Sequence, residues 1–236
     1  MAFIDRYNQG IRAVEQRMVG LTEMASNMLG RSLEVLLQAD PDGAQEVIDY
    51  DDVVDAETDL IEEAAIELIS LQQPAQEDLR VLTAALRVVR DLERIGDYAC
   101  DIAEIAQELE SAPDLKPLGD VSRMGDLTRR MLRRAGEAVV SKDPQIAYEV
   151  SRRDDAVDQL YLNLHRELMD VMRHDPSKVE QAANLLLVAR YLERVADHTV
   201  NLAEMTIYMA QGVRQPFRHS PRSANVEAVR KSPPPK

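Results

Sequence analysis

The chain has no tryptophan, two phenylalanines and one cysteine in 236 residues. Aromatic residues make up 4% of it, against 45% hydrophobic residues in all. The core must therefore be built from Leu, Val, Ile, Ala and Met, the palette of helix bundles. A lone cysteine, Cys100, excludes an intramolecular disulfide and fits a reducing compartment. No stretch approaches 18 uncharged apolar residues, so no direct membrane insertion is expected. The opening MAFIDRYNQG lacks a basic region followed by an apolar run, so no signal peptide is expected. Positive charge is short as well. Lys and Arg number 28 against 42 Asp and Glu, a net charge of −14. Such a surface repels phosphate backbones, so nucleic acid is not an expected partner, whereas cations and basic protein patches are.

Catalytic signatures are scarce too. The sequence holds no glycine-rich phosphate loop, no Ser-His-Asp order and no Cys/His cluster with zinc spacing. The Glu-x-x-His pairs of di-iron bundles are also missing. No catalytic residue is assigned, and no enzymatic activity is expected.

What the sequence does have is helical periodicity from end to end, without a convincing alternating strand. It predicts an all-α fold of six long helices over 3–38, 42–71, 75–111, 117–141, 144–173 and 176–211. Asp40-Pro41, Asp143-Pro144 and Asp175-Pro176 each offer an N-cap carboxylate followed by proline at the first helical position. The prolines at 74, 113 and 117 mark the other breaks. Helices this long joined by such short loops should pack as antiparallel neighbours.

The chain also repeats itself. LERIGDYACDIAE (Leu92 to Glu104) returns as LERVADHTVNLAE (Leu192 to Glu204), and ADPDGAQEVIDYDDVVD (Ala39 to Asp55) returns as KDPQIAYEVSRRDDAVD (Lys142 to Asp158). A period near 100 residues is too long for a solenoid and indicates a duplicated small bundle. The expected organisation is one three-helix repeat over residues 1–112 and a second over 113–212. A basic, proline-rich tail over 213–236 should be disordered and serve to solubilise the chain.

The repeated words carry carboxylates. Glu93 and Asp97 lie one turn apart on the same helical face, about 40° from each other, as do Glu193 and Asp197. Leu82, Leu86, Val89 and Cys100 share the face of Glu93, so this glutamate sits within the apolar stripe. Asp51 with Asp55, and Asp154 with Asp158, form matching pairs on the preceding helices, again among apolar neighbours. Each repeat thus sets four carboxylates into faces that should be buried. Like charges brought together raise one another's pKa, and desolvation adds to that, so something must compensate. A hard cation such as Mg²⁺, Mn²⁺, Ca²⁺ or iron does so directly. The bland alternative is an arginine network, since Arg90 and Arg94 bracket Glu93 and Arg190 and Arg194 bracket Glu193. Spacing alone leaves these two readings about even. His165 shares the face of Asp158 but lies about 10 Å further along the helix, and His198 points about 100° away from Asp197, so neither is expected as a direct ligand. Gly96 and Ala196 occupy matched positions beside the acidic pairs, where small residues admit a neighbouring helix.

The two segments RDLERIGDYACDIAE and RYLERVADHTVNLAE, with both upstream aspartate pairs in order, resemble the PhoU family, regulators of bacterial phosphate uptake. The resemblance covers roughly residues 1–212. It implies two similar three-helix bundles side by side, with multinuclear metal clusters held by the paired motifs. It further implies a first metal site of Asp51, Asp55, Glu93 and Asp97, extended by Asp101. The second would be Asp154, Asp158, Glu193 and Asp197, with the neutral donor Asn201 in the place of Asp101. The implied cofactors are divalent or trivalent metal ions: iron, zinc, manganese or magnesium. The implied role is a negative regulator of phosphate-starvation signalling in the cytoplasm, membrane-associated only through protein partners. Those partners would be the ATPase subunit of the phosphate ABC transporter and a phosphate-responsive sensor histidine kinase, and a homodimer is expected. Competing readings are a metal-dependent enzyme, a metal-storage bundle, or a structural helical dimer with arginine-neutralised carboxylates.

Overall fold

A computed structural model describes residues 2–72, 74–108 and 117–217. Among the described residues there are six α-helices and no strand: α1 (Ala2–Gln38), α2 (Pro41–Gln72), α3 (Gln76–Glu108), α4 (Leu118–Ser141), α5 (Pro144–His174) and α6 (Val179–Gln211). Pro176–Lys178 forms a 3₁₀ turn just before α6, three residues that the sequence reading had placed in the helix itself. The expected end of the third helix at 111, the boundary at 112/113 and the tail from residue 218 on lie outside the described residues.

The Asp-Pro breaks work as helix starts. Asp40 Oδ1 accepts from the Gly43 amide at 3.0 Å, Asp143 from Gln145 at 2.8 Å and Asp175 from Ser177 at 3.1 Å. Each aspartate thereby satisfies an amide that the first turn leaves without a partner. Ala39 and Lys142, immediately before two of these caps, both take positive φ, 48° and 51°. The chain then closes back identically in both repeats, from the Asp40 amide to the Val35 carbonyl and from the Asp143 amide to the Ala138 carbonyl. These positions are all 103 residues apart, so the duplication extends to backbone torsions.

Within each repeat all three helices touch one another. The repeats meet through α3 against α6 and α1 against α4, so those four helices form the central layer. Helix α2 touches only α1 and α3, while α5 packs on α4, α6 and the 3₁₀ turn, and the two flank the layer on the outside. Met18, Leu21, Leu29, Leu92, Ile95, Met124, Met131 and Leu132 are fully buried, and Tyr7 is the one aromatic side chain buried among the described residues, in a smaller cluster with Ile11, Ala65, Val81 and Leu82. Among the described residues no helix is long and apolar enough to cross a membrane.

After α6 the chain turns at Gly212 (φ 71°) and doubles back. The Phe217 amide donates to Glu204 at 2.7 Å, the Phe217 ring meets Tyr148 edge-on at 5.6 Å, and Tyr148 donates to Gln215 at 3.2 Å. The start of the expected tail is therefore anchored, because an aromatic ring finds a partner on α5.

Close approach of α1 and α4 depends on glycine. A Cβ on Gly136 would stand 2.7 Å from Thr22 Cγ2, and Thr22 is itself buried and bonded to the Met18 carbonyl at 2.8 Å. A β-branched side chain so held cannot rotate away. Gly136→Leu should therefore destabilise the chain by about 1–3 kcal/mol through overpacking, read as a lower urea midpoint at unchanged slope.

Candidate functional site

Helices α2 and α3 bring the first carboxylates together. Asp51 Oδ1 lies over Gly96, 3.2 Å from where a Cβ would stand, and Val54 Cγ1 is 3.4 Å from the same point. The missing side chain lets an acidic turn of α2 settle onto α3. Asp51 is half-buried, and its Oδ1 is a buried oxygen without a hydrogen-bond donor among the described residues. Desolvation pushes its carboxyl up to about 6, with Asp55 and then Asp97 adding repulsion, while a hydrogen bond from the Cys100 thiol pulls the other way. Asp55 and Asp101 are also raised, first by desolvation, which at Asp55 is partial because the side chain reaches solvent, and both feel Asp97. Asp51, Asp55 and Asp101 thus all lie within the field of Asp97.

The remaining members have turned elsewhere. Glu93 takes Arg90 at 2.9 Å and Asp97 takes Arg94 at 2.9 Å, each an arginine three residues back on the same helix. Asp55 is solvent-exposed, contrary to the buried face expected for it, because it sits past the edge of the α2/α3 contact. No arginine comes from α2, which carries neither Lys nor Arg. Compensation is thus split, with Glu93 and Asp97 paired and Asp51 left with a thiol.

The second quartet sits deeper. Asp154 and Glu193 are 5% and 4% exposed, the only ionisable side chains this buried among the described residues. Arg190 grips Glu193 at 2.6 Å, and Arg194 reaches Asp197 at 3.6 Å and Glu193 at 4.0 Å. Arg190 also lies over the Tyr161 ring at 5.9 Å, which fixes the guanidinium from above. Asp158 is half-buried on α5. Asn201 is placed differently from the expectation: its amide donates to Asp91 Oδ1 on α3 at 2.9 Å. His198 Nδ1 meets the same oxygen at 2.7 Å, pointing away from Asp197 as its helical position predicts, and His165 packs on Tyr161.

Sequence reasoning missed this seam between α3 and α6, where Asp91 joins His198 and Asn201 while Tyr98 stacks on Tyr191 at 5.8 Å. The available signal was the mismatch at matched positions, aspartate at 91 against tyrosine at 191 and tyrosine at 98 against histidine at 198.

Among the described residues no three Asp, Glu, His or Cys side chains are drawn in to metal-ligand spacing. The donor set nevertheless suits a hard cation: oxygen ligands, a surplus of negative charge, and in Asp51 Oδ1 a buried acceptor with nothing donated to it.

The PhoU domain matches this chain twice, over residues 19–106 and 121–206. The chain belongs to the PhoU family. A phosphate-specific transport system accessory protein PhoU homolog of Clostridium acetobutylicum is 35% identical over 207 residues, 87% of this chain and 94% of its own length. One of the same description from Deinococcus radiodurans is 36% identical over 205 residues, covering 87% and 96%. The crystal structure of PhoU from Pseudomonas aeruginosa superimposes with a TM-score of 0.84 at 30% identity, over 88% of this chain and 100% of that one. These PhoU relatives carry the name of an accessory protein, not of an enzyme.

The raised carboxyl of Asp51 has a thermodynamic sign. Its pKa goes from 3.8 to about 6 on folding, so the folded chain binds the extra proton between those values. Stability is therefore lost as pH rises through that window. In the metal-free protein Asp51→Asn should recover about 1 kcal/mol at pH 8, a figure reduced from the full shift because solvent screens this half-open site. The gain should vanish near pH 3.5, where both states hold the proton; urea titrations in chelator at the two pH values measure it.

Proposed function

We propose that this chain is an accessory regulator of phosphate-specific transport that carries its signal through metal-loaded carboxylate quartets. The observation that carries the reading is Asp51 laid against Gly96 of α3, half-buried within the field of Asp55 and Asp97, on a helix with no basic residue of its own. Support for the transport role comes from relatives bearing that description along nearly their whole length.

In this reading Asp51, Asp55, Glu93 and Asp97 hold the first cation or cluster, with Asp101 at its edge. Asp154, Asp158, Glu193 and Asp197 hold the second. The ions are divalent or trivalent, from among magnesium, manganese, iron and zinc. A bound cation supplies the positive charge that α2 lacks beside Asp51 and Asp55, and it competes with Arg90 and Arg94 for Glu93 and Asp97. Its oxygen ligands require the carboxylates ionised, so loading strengthens as pH rises through the Asp51 range. The first site binds more tightly than the second, since Asp51 and Asp55 have no arginine on their own helix whereas Asp154 follows Arg152 and Arg153 directly. The outer, acidic α2 and the rigid central layer present docking faces for protein partners. These are the transporter ATPase subunit and a sensor histidine kinase, to which the protein is recruited at the cytoplasmic membrane face as a homodimer, acting as a negative regulator.

Metal titration by calorimetry with Mg²⁺, Mn²⁺, Zn²⁺ and Fe²⁺ tests the sites. Asp97→Asn should weaken the tighter binding event by about tenfold or more, and Asp197→Asn the weaker one. Uptake of none of these ions would leave the carboxylates structural. Pull-downs in phosphate-replete cells should recover the ATPase subunit or the kinase, and gene deletion should raise a phosphate-starvation reporter in rich phosphate.

A further inference from the structure

Besides the carboxylate quartets, the molecule carries a basic cleft. It lies between α3 and α6, about 440 Å³ in volume, with Arg87, Arg90 and Arg94 along one wall and Asn201 and Glu204 on the other. Leu86 and Met205 give it an apolar floor. A smaller cavity of about 190 Å³ continues from it beneath the doubled-back segment, where Arg87 and Glu204 are joined by Arg214. Four arginines thus line two adjoining hollows in a chain whose net charge is −14.

Arg90 and Arg94 are spoken for in part, since they pair with Glu93 and Asp97. Arg87 is exposed and makes no ion pair among the described residues. Asp91, which also borders the cleft, has one oxygen covered by His198 and Asn201 at 2.7 and 2.9 Å, so its charge is partly screened from an incoming anion. Positions 87, 90 and 94 fall on one helical face one to two turns apart, which lets several guanidinium forks address neighbouring oxyanions at once.

The internal repeat supplies a control within the same molecule. The pseudo-equivalent spot on the other side of the seam retains Arg190 and Arg194. It has Leu187 in the place of Arg87 and Asp101 in the place of Asn201, with Glu104 as the match of Glu204. Tyr191 there feels both Asp101 and Glu104. The motif arginines occur on both sides, and each side carries two carboxylates, Asp91 and Glu204 here against Asp101 and Glu104 there, but only one side adds Arg87 and receives Arg214. The family motif alone does not require these two arginines, and both make the local field more positive, while the exchange of Asp101 for Asn201 is offset by that of Tyr191 for Asp91.

We propose that the α3/α6 cleft binds a small polyphosphorylated anion, with Arg87 as the determining contact and Arg90, Arg94 and Arg214 in support. Guanidinium groups match phosphoryl oxygens in bidentate geometry, and the Leu86–Met205 floor accepts an organic portion. The proposed metal ligands touch the cleft only through their pairing with Arg90 and Arg94, and Arg87 is tied to neither quartet, so the cleft is tested with the metal removed.

The experiment is titration of the full chain, in EDTA at moderate salt, with tripolyphosphate and with ATP. Both should bind saturably at one per chain. Arg87→Ala should weaken both at least tenfold, while Arg133→Ala, an exposed arginine on α4, should leave them unchanged. The arginine Nε–Hε resonances of residues 87, 90 and 94 should shift on titration. Absence of saturable binding by either probe at millimolar concentration would overturn the proposal. Equal weakening by both variants, or shifts confined to arginines elsewhere, would also overturn it. Loss of metal binding in the separate cation titration leaves this result intact, so the two readings fail independently.

Discussion

The structure turns on one contact that electrostatics disfavours: an acidic turn of α2 laid on an acidic turn of α3. The apolar edges of these helices, Val47, Val54 and Ile61 against Leu92, Ile95 and Ala99, draw the helices together and leave the aspartates no way to separate. Gly96 shortens the distance further. The hydrophobic term wins because Val, Ile and Leu each contribute about 1.5–3 kcal/mol when fully buried, and the seam contains several of them. Repulsion at the half-open rim is screened to a smaller figure. The result is a seam held shut by its core with unspent negative charge along its edge.

Each repeat manages that charge in the same local way. An arginine three residues before each of the four motif carboxylates on α3 and α6 reaches it, giving Arg90–Glu93, Arg94–Asp97, Arg190–Glu193 and Arg194–Asp197. Such i,i+3 pairs are individually weak, a few tenths of a kcal/mol on an exposed helix. They hold the carboxylates in place without committing them, which leaves the pairs open to displacement by a multivalent cation in the reading proposed above. The buried Arg190–Glu193 pair is different. Glu193 is almost fully buried, so removing its arginine would strand a charge in a poor solvent. The two quartets share a sequence pattern and differ in how far they are committed to it.

Much of this was legible in the sequence. The six helices, the Asp-Pro caps and the duplication followed from periodicity and from residues with a single good explanation, such as aspartate before proline. The acidic pairs were found for the same reason, since i,i+4 spacing fixes a shared face. Contacts between helices were harder to read. A helical wheel could place Glu93 on an apolar face, but it could not say that Asp55 lies beyond the rim of that contact or that Asn201 would reach across to Asp91. The strap ending at Phe217 was hidden in a segment whose composition reads as disordered, and one aromatic ring settled on Tyr148 is enough to anchor it. Composition averages over a window, whereas docking depends on a single side chain.

The divergence of the two repeats is concentrated where a verbatim copy would fail. Around the α3/α6 seam each position meets its partner's surroundings across an approximate two-fold. Asp91 faces His198 and Asn201, and at the equivalent place Tyr191 faces Tyr98 and Asp101. An aspartate at 201 would set two carboxylates against each other at Asp91, and an aspartate at 191 would do the same at Asp101. Like charges brought that close would oppose the packing of α3 on α6, which joins the halves. One side therefore solves the problem with a histidine and an amide, the other with a pair of stacked tyrosines. Once the seam was asymmetric, the clefts on its two flanks no longer had to match. An arginine at 87 meets a wall carrying Asn201, whereas an arginine at 187 would have met Asp101 and been neutralised. The basic cleft on one side follows from the same constraint that made the seam close.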